Sequence, residues 1–183
     1  MNLLNTILIF AAAFLAVFGE AALPGFRNLI GAQIDLLPAI MVYAALNADI
    51  TVVALLAGAG GLWFDALSAN PLGVTILPLF AAGFVIYLQR EFILREFSFA
   101  QSVLGAGAGA AVPALTALLL LTGGQTPLLG WGSLWQWFVM TAGGAVAAPF
   151  FFALFEWCDH ALGHPPRTET SFRTDREILR GRN

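Results

Sequence analysis

Asp65 is the residue of this chain whose type and position most clearly suggest chemistry, because it is a lone carboxylate between two long apolar runs. A carboxylate at the edge of an apolar run must be paired, hydrated or protonated. Two interpretations stay open. Its oxygens accept hydrogen bonds from the amides of Leu67 and Ser68 and hold a turn, or its charge binds a partner or a ligand. The turn is the favoured interpretation, and the segment concerned contains Asp65, Ser68, Asn70, Pro71 and Gly73.

A second group of polar residues lies before the next apolar run upstream. Arg27, Gln33 and Asp35 are predicted to form an external polar cluster in which Arg27 offsets the nearby acids. Glu20 is a further candidate member, but the interpretation as an ordinary solvated loop residue is favoured for it. For Asp35 both interpretations, cluster member and solvated loop residue, stay open, because the apolar run is too short to span the membrane without Asp35.

Catalytic and metal-binding chemistry is not indicated by the remaining polar residues. Cys158, Asp159, His160 and His164 lie close together, but their spacing is irregular and includes only one thiol. A solvated helix end is therefore favoured over a metal site. The chain has no lysine for a phosphate-binding loop, and no serine lies in a nucleophile elbow. We predict a non-enzymatic protein with no cofactor, no metal ion and no nucleic-acid partner.

The elements that position these residues are predicted to be membrane helices. The chain is 59% hydrophobic and only 10% charged, whereas soluble domains carry about a quarter charged residues. The pattern predicts an all-α fold class, a polytopic membrane helical bundle of about six transmembrane helices. The predicted spans are residues 3–18, 30–46, 50–67, 71–88, 99–122 and 134–157. Five spans plus a re-entrant segment is the alternative, because Asp35 and Pro38 interrupt the second run.

The distribution of arginine predicts which side of the membrane each end faces. All eight basic residues are arginines. Six spans put every arginine except Arg27 on the side of both termini, which the positive-inside rule assigns to the cytoplasm. We therefore predict a transmembrane helical domain over residues 1–160 and a cytoplasmic polar tail over residues 161–183. The tail either forms a short helix on anionic lipid headgroups or is disordered.

Two local patterns predict how the spans begin and pack. Asn70 and Pro71 are typical of an N-cap followed by proline at the first helical position. Small residues recur at every fourth position of the fifth span and predict a stripe on which another helix packs closely. The members of this stripe are Gly105, Gly109, Pro113 and Ala117. Ala108, about 100° around the helix, is predicted to tolerate a larger side chain better than Gly109.

An ordered series of motifs runs through the centre of the chain. A short proline-containing run over residues 36–46 is followed by a glycine-rich run that ends in Phe64-Asp65-Ala66-Leu67-Ser68. Asn70-Pro71-Leu72-Gly73, a further span and a turn with Arg90 come next. This series resembles the MreD family of bacterial rod-shape-determining membrane proteins, whose signature is a D-L-x-S-G-x-x-L-G-like segment. Ala66 and Ala69 replace the usual leucine and glycine, and the resemblance is best over residues 36–102.

The resemblance implies a non-enzymatic scaffold of the bacterial inner membrane, with both termini cytoplasmic. MreD-like proteins associate with the bitopic protein MreC among the membrane lipids. Through MreC they connect to a RodA-type glycosyltransferase, its class B penicillin-binding transpeptidase and MreB filaments. The implied role is to help the cell-elongation machinery of peptidoglycan synthesis maintain rod shape. The family fold is also similar to the substrate-binding membrane subunits of energy-coupling-factor vitamin transporters, and such a subunit is the alternative function.

Overall fold

The computed structural model describes residues 3–22, 31–68, 70–93, 97–124 and 130–161. Six α-helices and no strand occur within these ranges, which confirms the predicted all-α fold class. The helices are α1 (Leu3–Ala22), α2 (Leu37–Asn47), α3 (Ile50–Leu67), α4 (Ile76–Gln89), α5 (Ser98–Thr122) and α6 (Trp131–Ala161). Arg27 and residues 162–183 lie outside the described ranges, so the positions expected for Arg27 and for the tail stay predictions.

Four of the described helices, α1, α3, α5 and α6, are long and apolar enough to cross a membrane. Helices α2 and α4 have 11 and 14 residues. At about 1.5 Å per residue they reach about 16 and 21 Å, which is less than the hydrocarbon core of roughly 30 Å. The described chain is therefore a membrane helical bundle that combines four long helices with two short ones.

Helix α2 is the centre of the bundle and contacts all five of the other described helices. Every residue from Leu37 to Leu46 is buried. Its sequence is apolar on all sides, and such a helix is stable where other helices surround it. Residues 31–36, which lead into α2, are not helical. At membrane depth such a segment is tolerated only where the protein satisfies its backbone polar groups.

Polar contacts identify the two ends of the bundle. At the first, named the Asp65 end, the carboxylate of Asp65 near the C terminus of α3 accepts a hydrogen bond from the backbone N–H of Thr75, just before α4. The C-terminal ends of α1 and α3 line one cavity at this end. At the opposite end, named the Arg90 end, the side chain of Arg90 after α4 donates to the carbonyl of Ala48 after α2.

These contacts establish the direction of each helix. Helices α1 and α3 both finish at the Asp65 end, so α2 between them runs to the Arg90 end although it is short. Helix α4 returns to the Arg90 end, and α5 and α6 pack in opposite directions. Leu3 and Ala161 consequently lie toward the same end of the bundle. This alternation favours six crossings over five spans with a re-entrant segment.

Two predicted helix starts are wrong. The sequence predicts a second span from residue 30, but α2 begins at Leu37 because side chains, rather than helix carbonyls, accept the N–H groups of the preceding backbone. The sequence also predicts that Asn70 and Pro71 begin the fourth span, but α4 begins at Ile76. Gly73 has a φ of +90°, a left-handed conformation that a right-handed helix cannot include.

Gly105 and Gly109 lie where α5 and α6 approach most closely. A Cβ atom on Gly105 would overlap the carbonyl oxygen of Gly144, and a Cβ atom on Gly109 would lie 2.6 Å from the carbonyl oxygen of Met140. The two backbones meet at these positions because glycine has no side chain to separate them. Two members of the predicted stripe are therefore placed at a helix crossing.

The buried face of α5 does not include Pro113 and Ala117, the other two members of the predicted stripe. The buried residues of this helix are Gln101, Gly105, Ala108, Gly109, Val112 and Thr116. Since an α-helix has 3.6 residues per turn, positions four apart drift by about 40° at each step. Pro113 and Ala117 are accordingly only half-buried. Ala108, which the sequence predicts to tolerate a larger side chain, is 4% exposed and belongs to the core.

We expect Gly105→Ala to lower the free energy of unfolding by roughly 1–3 kcal/mol, because the added methyl group would overlap the backbone of α6. Gly107→Ala is the matched control, since Gly107 is exposed on the same helix and an added Cβ meets nothing within 4 Å. Alanine is the better helix former, so the control should match or exceed the wild type in stability. Circular dichroism during unfolding in mixed micelles measures both, and equal losses would contradict close packing at Gly105.

We expect a reporter fused after Asn183 to behave as cytoplasmic and a reporter inserted near Gly124 to behave as external. Gly124 follows α5 at the Asp65 end, whereas both ends of the described chain point to the Arg90 end. The arginine distribution predicts that the Arg90 end faces the cytoplasm. Paired alkaline phosphatase and fluorescent-protein fusions measure the sidedness. Phosphatase activity from the fusion after Asn183 would contradict the topology.

Candidate functional site

Asp65 holds together the connection between α3 and α4. Its side chain is 1% exposed. Its Oδ2 accepts hydrogen bonds from the backbone N–H of Gly73 at 2.8 Å and from that of Thr75 at 3.0 Å. Its Oδ1 accepts a third bond from the hydroxyl of Thr75. Three donors from the described residues, none of them a cation, therefore satisfy this buried carboxylate, an arrangement that we name the Asp65 clamp.

The position of Asp65 within its own helix does not favour a negative charge. Asp65 lies in the last turn of α3, where the helix dipole and the free carbonyl groups disfavour an anion. The three donors come instead from the connection that follows the helix. Hydrogen bonds to an ionised acceptor are about twice as strong as neutral ones, so these donors offset the unfavourable dipole. The groups that stabilise the carboxylate of Asp65 therefore lie in the connection between α3 and α4, and not in α3 itself.

Two glycines of α3 bring the neighbouring helices close to the clamp. A Cβ atom on Gly61 would lie 3.0 Å from the Cα and N atoms of Ile76, the first residue of α4. A Cβ atom on Gly60 would lie 2.9 Å from Cδ1 of Leu37, the first residue of α2. Because neither glycine has a side chain, the first turns of α2 and α4 lie directly against the last turns of α3.

The donors of the Asp65 clamp differ from those predicted. The sequence predicts the amides of Leu67 and Ser68, but the N–H of Ser68 bonds to helix carbonyls as the C-cap of α3. The actual donors, Gly73 and Thr75, are eight and ten residues after Asp65 in the sequence. The carboxylate therefore bonds to the far end of the connection between α3 and α4. The sequence predicts instead that it stabilises a single tight turn directly after α3.

The other residues of the predicted turn act through local hydrogen bonds. The hydroxyl of Ser68 donates to the carbonyl of Asp65 at 3.3 Å and accepts a bond from the N–H of Asn70, also at 3.3 Å. The carbonyl of Pro71 accepts the N–H of Val74 at 3.3 Å. These residues shape the chain between Asp65 and its donors, and these hydrogen bonds lie within the connection itself.

Two further carboxyl groups lie at the N terminus of α2. Oε1 of Glu20 accepts the N–H of Leu36 at 2.7 Å, and Oδ1 of Asp35 accepts the N–H of Leu37 at 3.0 Å. Asp35 is 5% exposed and interacts electrostatically with Glu20. Free N–H groups and partial positive charge at a helix N terminus stabilise acids there. Glu20 is thus a half-buried acceptor within α1, and its interpretation as a solvated loop residue is wrong.

Gln136 of α6 anchors the segment that leads into α2. Its Oε1 accepts the N–H of Gln33 at 2.9 Å, and its Nε2 donates to the carbonyl of Gln33 at 2.7 Å. Both backbone groups of Gln33 are thereby satisfied outside a helix. The side chain of Gln33 hydrogen-bonds with Glu20. The structure therefore brings Gln33 and Asp35 together, and Arg27, the third predicted member of this cluster, lies outside the described residues.

A cavity of about 470 Å³ lies beside these groups at the Asp65 end. Its walls come from α1, from residues 31–36 and from the end of α3. Glu20, Gln33 and Ser68 provide its polar side chains. The larger apolar side chains around it are Leu15, Val17, Ile34, Leu36, Phe64 and Leu67. Chemically it is an apolar chamber with a carboxyl group on one wall.

A second concavity, named the α6 groove, has a volume of about 510 Å³, and the described residues that line it include no charged one. Ile34 and Leu36 form one wall. The other wall is α6, whose lining residues are Phe138, Val139, Ala142, Gly143, Val146, Ala147, Phe150 and Phe151. A Cβ atom on Gly143 would lie 2.7 Å from Cγ2 of Ile34, so this glycine lets the two walls meet. The groove therefore presents apolar surface between small residues and phenylalanines.

Thr75 and Gln136 are not among the residues predicted from the sequence, although each residue type carries some signal at its position. A threonine directly before an apolar helical run is typical of a helix start, which makes Thr75 a recognisable candidate. Gln136 is a polar residue within a membrane span and so needs a partner. Its partner Gln33 is 103 positions away, and no local pattern connects the two.

We expect Asp65→Asn to be mild and Asp65→Leu to cost roughly 1–3 kcal/mol of stability. An asparagine can direct its oxygen to the N–H groups of Gly73 and Thr75 and its Nδ2 to the hydroxyl of Thr75, which then accepts. Leucine leaves both N–H groups unpaired. Folded yield and thermal unfolding in detergent measure the difference. A folded Asp65→Asn protein that no longer retains a protein that copurifies with the wild type would favour the recognition interpretation.

Thr75→Val provides the control for this geometry. Alone, it removes one donor from Oδ1 of Asp65. Combined with Asp65→Asn, it would leave the asparagine Nδ2 facing a methyl group. The double variant should therefore lose more stability than the sum of the single variants. Additive losses would contradict the exchange of donor and acceptor at Thr75.

Comparisons of the chain with protein-family profiles, with curated proteins and with solved structures find no match. The resemblance to the MreD family therefore rests on the motif residues themselves. In the structure these motifs form the buried helix α2, the glycine-lined end of α3 and the Asp65 clamp. The function that the resemblance implies is accordingly a proposal.

Proposed function

We propose that the chain is a non-enzymatic scaffold subunit of the bacterial cell-elongation machinery, located in the inner membrane with both termini cytoplasmic. Its direct partner is an MreC-like bitopic protein. Through that partner it meets a RodA-type glycosyltransferase, a class B penicillin-binding transpeptidase and MreB filaments. The motif resemblance supports membership of the MreD family. The α6 groove is the observation that supports how the partner binds.

The α6 groove suits a single apolar helix. Phe138 and Phe150 are exposed along its outer edge and lie 12 positions apart, which is about 18 Å along a helix. Ala142 lies between them and leaves a notch between large side chains. Helices in lipid associate through this kind of close packing, in which small residues admit larger ones. A transmembrane span with a bulky apolar residue opposite Ala142 would cover the groove over about three turns.

The use of polar groups at the Asp65 end supports a scaffold over a transport subunit. Asp65 takes its three donors from its own connection, and Asp35 bonds to the start of α2. A vitamin-binding pocket needs several convergent polar groups that are free to contact the ligand. Of Gln33, Asp35 and Asp65, only Gln33 is in the described lining of the cavity, where Glu20 and Ser68 are the other polar side chains.

A substrate-binding subunit of an energy-coupling-factor type transporter is the second candidate function, and the cavity at the Asp65 end favours it. Its volume of about 470 Å³ falls in the range of roughly 300–1,000 Å³ that small-molecule sites occupy. Purification from native membranes separates the two candidates. A retained bitopic periplasmic protein supports the scaffold, and a retained ATPase module supports the transporter.

We expect Ala142→Trp to abolish retention of the bitopic partner at unchanged folded yield, because Ala142 is exposed in the α6 groove and an indole would fill it. Ala54→Trp is the matched control, since Ala54 is exposed on α3 and does not line the groove. Mass spectrometry of proteins retained in mild detergent gives the partner-to-bait ratio. Full retention by the Ala142 variant, or equal loss in both variants, would contradict docking at the α6 groove.

A further inference from the structure

The cavity at the Asp65 end has an acidic wall. The carboxyl group of Glu20 lies in its lining and uses Oε1 to accept the N–H of Leu36 at 2.7 Å. Asp35 is buried and close enough to Glu20 for their charges to interact. The N terminus of α2 contributes about half a positive charge toward these two acids. Two carboxyl groups therefore lie close together on this side of the cavity.

The described residues provide no basic side chain at this end. Arg90 is the only arginine or lysine within the described ranges. It lies at the opposite end of the bundle, where it bonds to Ala48 and packs 4.3 Å from the ring centroid of Tyr87. A group that brings positive charge and N–H donors would complement the wall formed by Glu20.

The remaining walls of the cavity indicate what kind of group would lie beside the charged group of a ligand. Most of the lining is apolar, and Leu15 and Leu67 are exposed at its rim, so the cavity opens toward the apolar surface of the bundle. Its volume of about 470 Å³ leaves room for a hydrocarbon body beside a charged group. The side-chain oxygens of Glu20 and Gln33 are acceptors for several N–H donors on one centre.

We propose that this cavity binds a primary ammonium group carried on an apolar body. Glu20 accepts N–H donors of the ammonium, and the apolar walls cover the hydrocarbon part. A quaternary ammonium has no N–H to donate and binds more weakly. A soluble amine and the headgroup of an aminophospholipid both present this chemistry. The site shares Ile34 and Leu36 with the α6 groove. Its polar wall is formed by Glu20 and Gln33, which do not line the groove, so the proposal does not rest on the scaffold function.

Three probes of matched size test the charge preference: 4-phenylbutylamine, 4-phenylbutanol and 4-phenylbutyrate. In purified full-length protein, the amine should raise Tm in a saturable manner, the alcohol should raise it less and the acid should not. Glu20→Gln keeps an oxygen for the N–H of Leu36 but can no longer ionise to pair with an ammonium group. It should weaken binding of the amine about tenfold or more and leave binding of the alcohol unchanged.

Gly19→Leu keeps the test decisive if Glu20→Gln fails to fold. Gly19 lines the cavity, and an added Cβ meets nothing within 4 Å, so a leucine can fill the cavity from α1 without strain. Gly58→Leu is the matched control, because Gly58 on α3 also has open space and does not line the cavity. Binding of the amine should be lost in the first variant and kept in the second.

Nanodiscs of phosphatidylethanolamine or phosphatidylcholine separate the two sources of the ammonium. Native mass spectrometry that finds phosphatidylethanolamine retained by the wild type, but not by Glu20→Gln or Gly19→Leu, identifies a lipid headgroup. Binding of 4-phenylbutylamine without this lipid preference identifies a soluble amine. Equal binding of amine and alcohol, binding that neither variant weakens, or no binding of either ammonium would each overturn the proposal. The bitopic partner plays no part in these measurements, so they are decided independently of the scaffold.

Discussion

A backbone N–H group inside a membrane protein must find an acceptor within the protein, because lipid offers none. This chain leaves helical geometry twice at the Asp65 end, before α2 and before α4. Asp65 supplies the acceptors for the second connection, and Glu20 together with Gln136 satisfies the first. Each of these side chains belongs to a different helix from the one whose start it stabilises. The relative positions of α1, α2, α3, α4 and α6 therefore depend on the same few hydrogen bonds.

Hydrogen bonds of this kind require backbones that approach closely, because they act over about 3 Å. Gly60 and Gly61 provide that approach around the Asp65 clamp, since α2 and α4 begin against their bare backbones. Gly105 and Gly144 do the same for α5 and α6, where a methyl group on either would meet the other backbone. Polar satisfaction and glycine packing are thus two parts of one arrangement.

The sequence predicts those features of the fold that depend on local properties. Six helical segments follow from the lengths of the apolar runs, and the importance of Asp65 follows from its isolation among apolar residues. The starts of α2 and α4 could not be predicted, because acceptors on other elements decide them. The prediction that Pro113 and Ala117 belong to the packing stripe is wrong for a geometric reason, since positions four apart drift around an α-helix. The pairing of Gln136 with a residue 103 positions away has no local signal at all.

The central position of α2 has a consequence for how the protein is made. An 11-residue helix preceded by a buried aspartate cannot rest stably in lipid by itself. It becomes stable only when α1 offers the carboxyl group of Glu20 and α3 offers the surface at Gly60. Helices α1, α2 and α3 therefore become stable as one unit, which is complete once α3 has been synthesised. The order of synthesis matters for this architecture, because α2 is stable in the membrane only after both of its neighbours in the sequence are present.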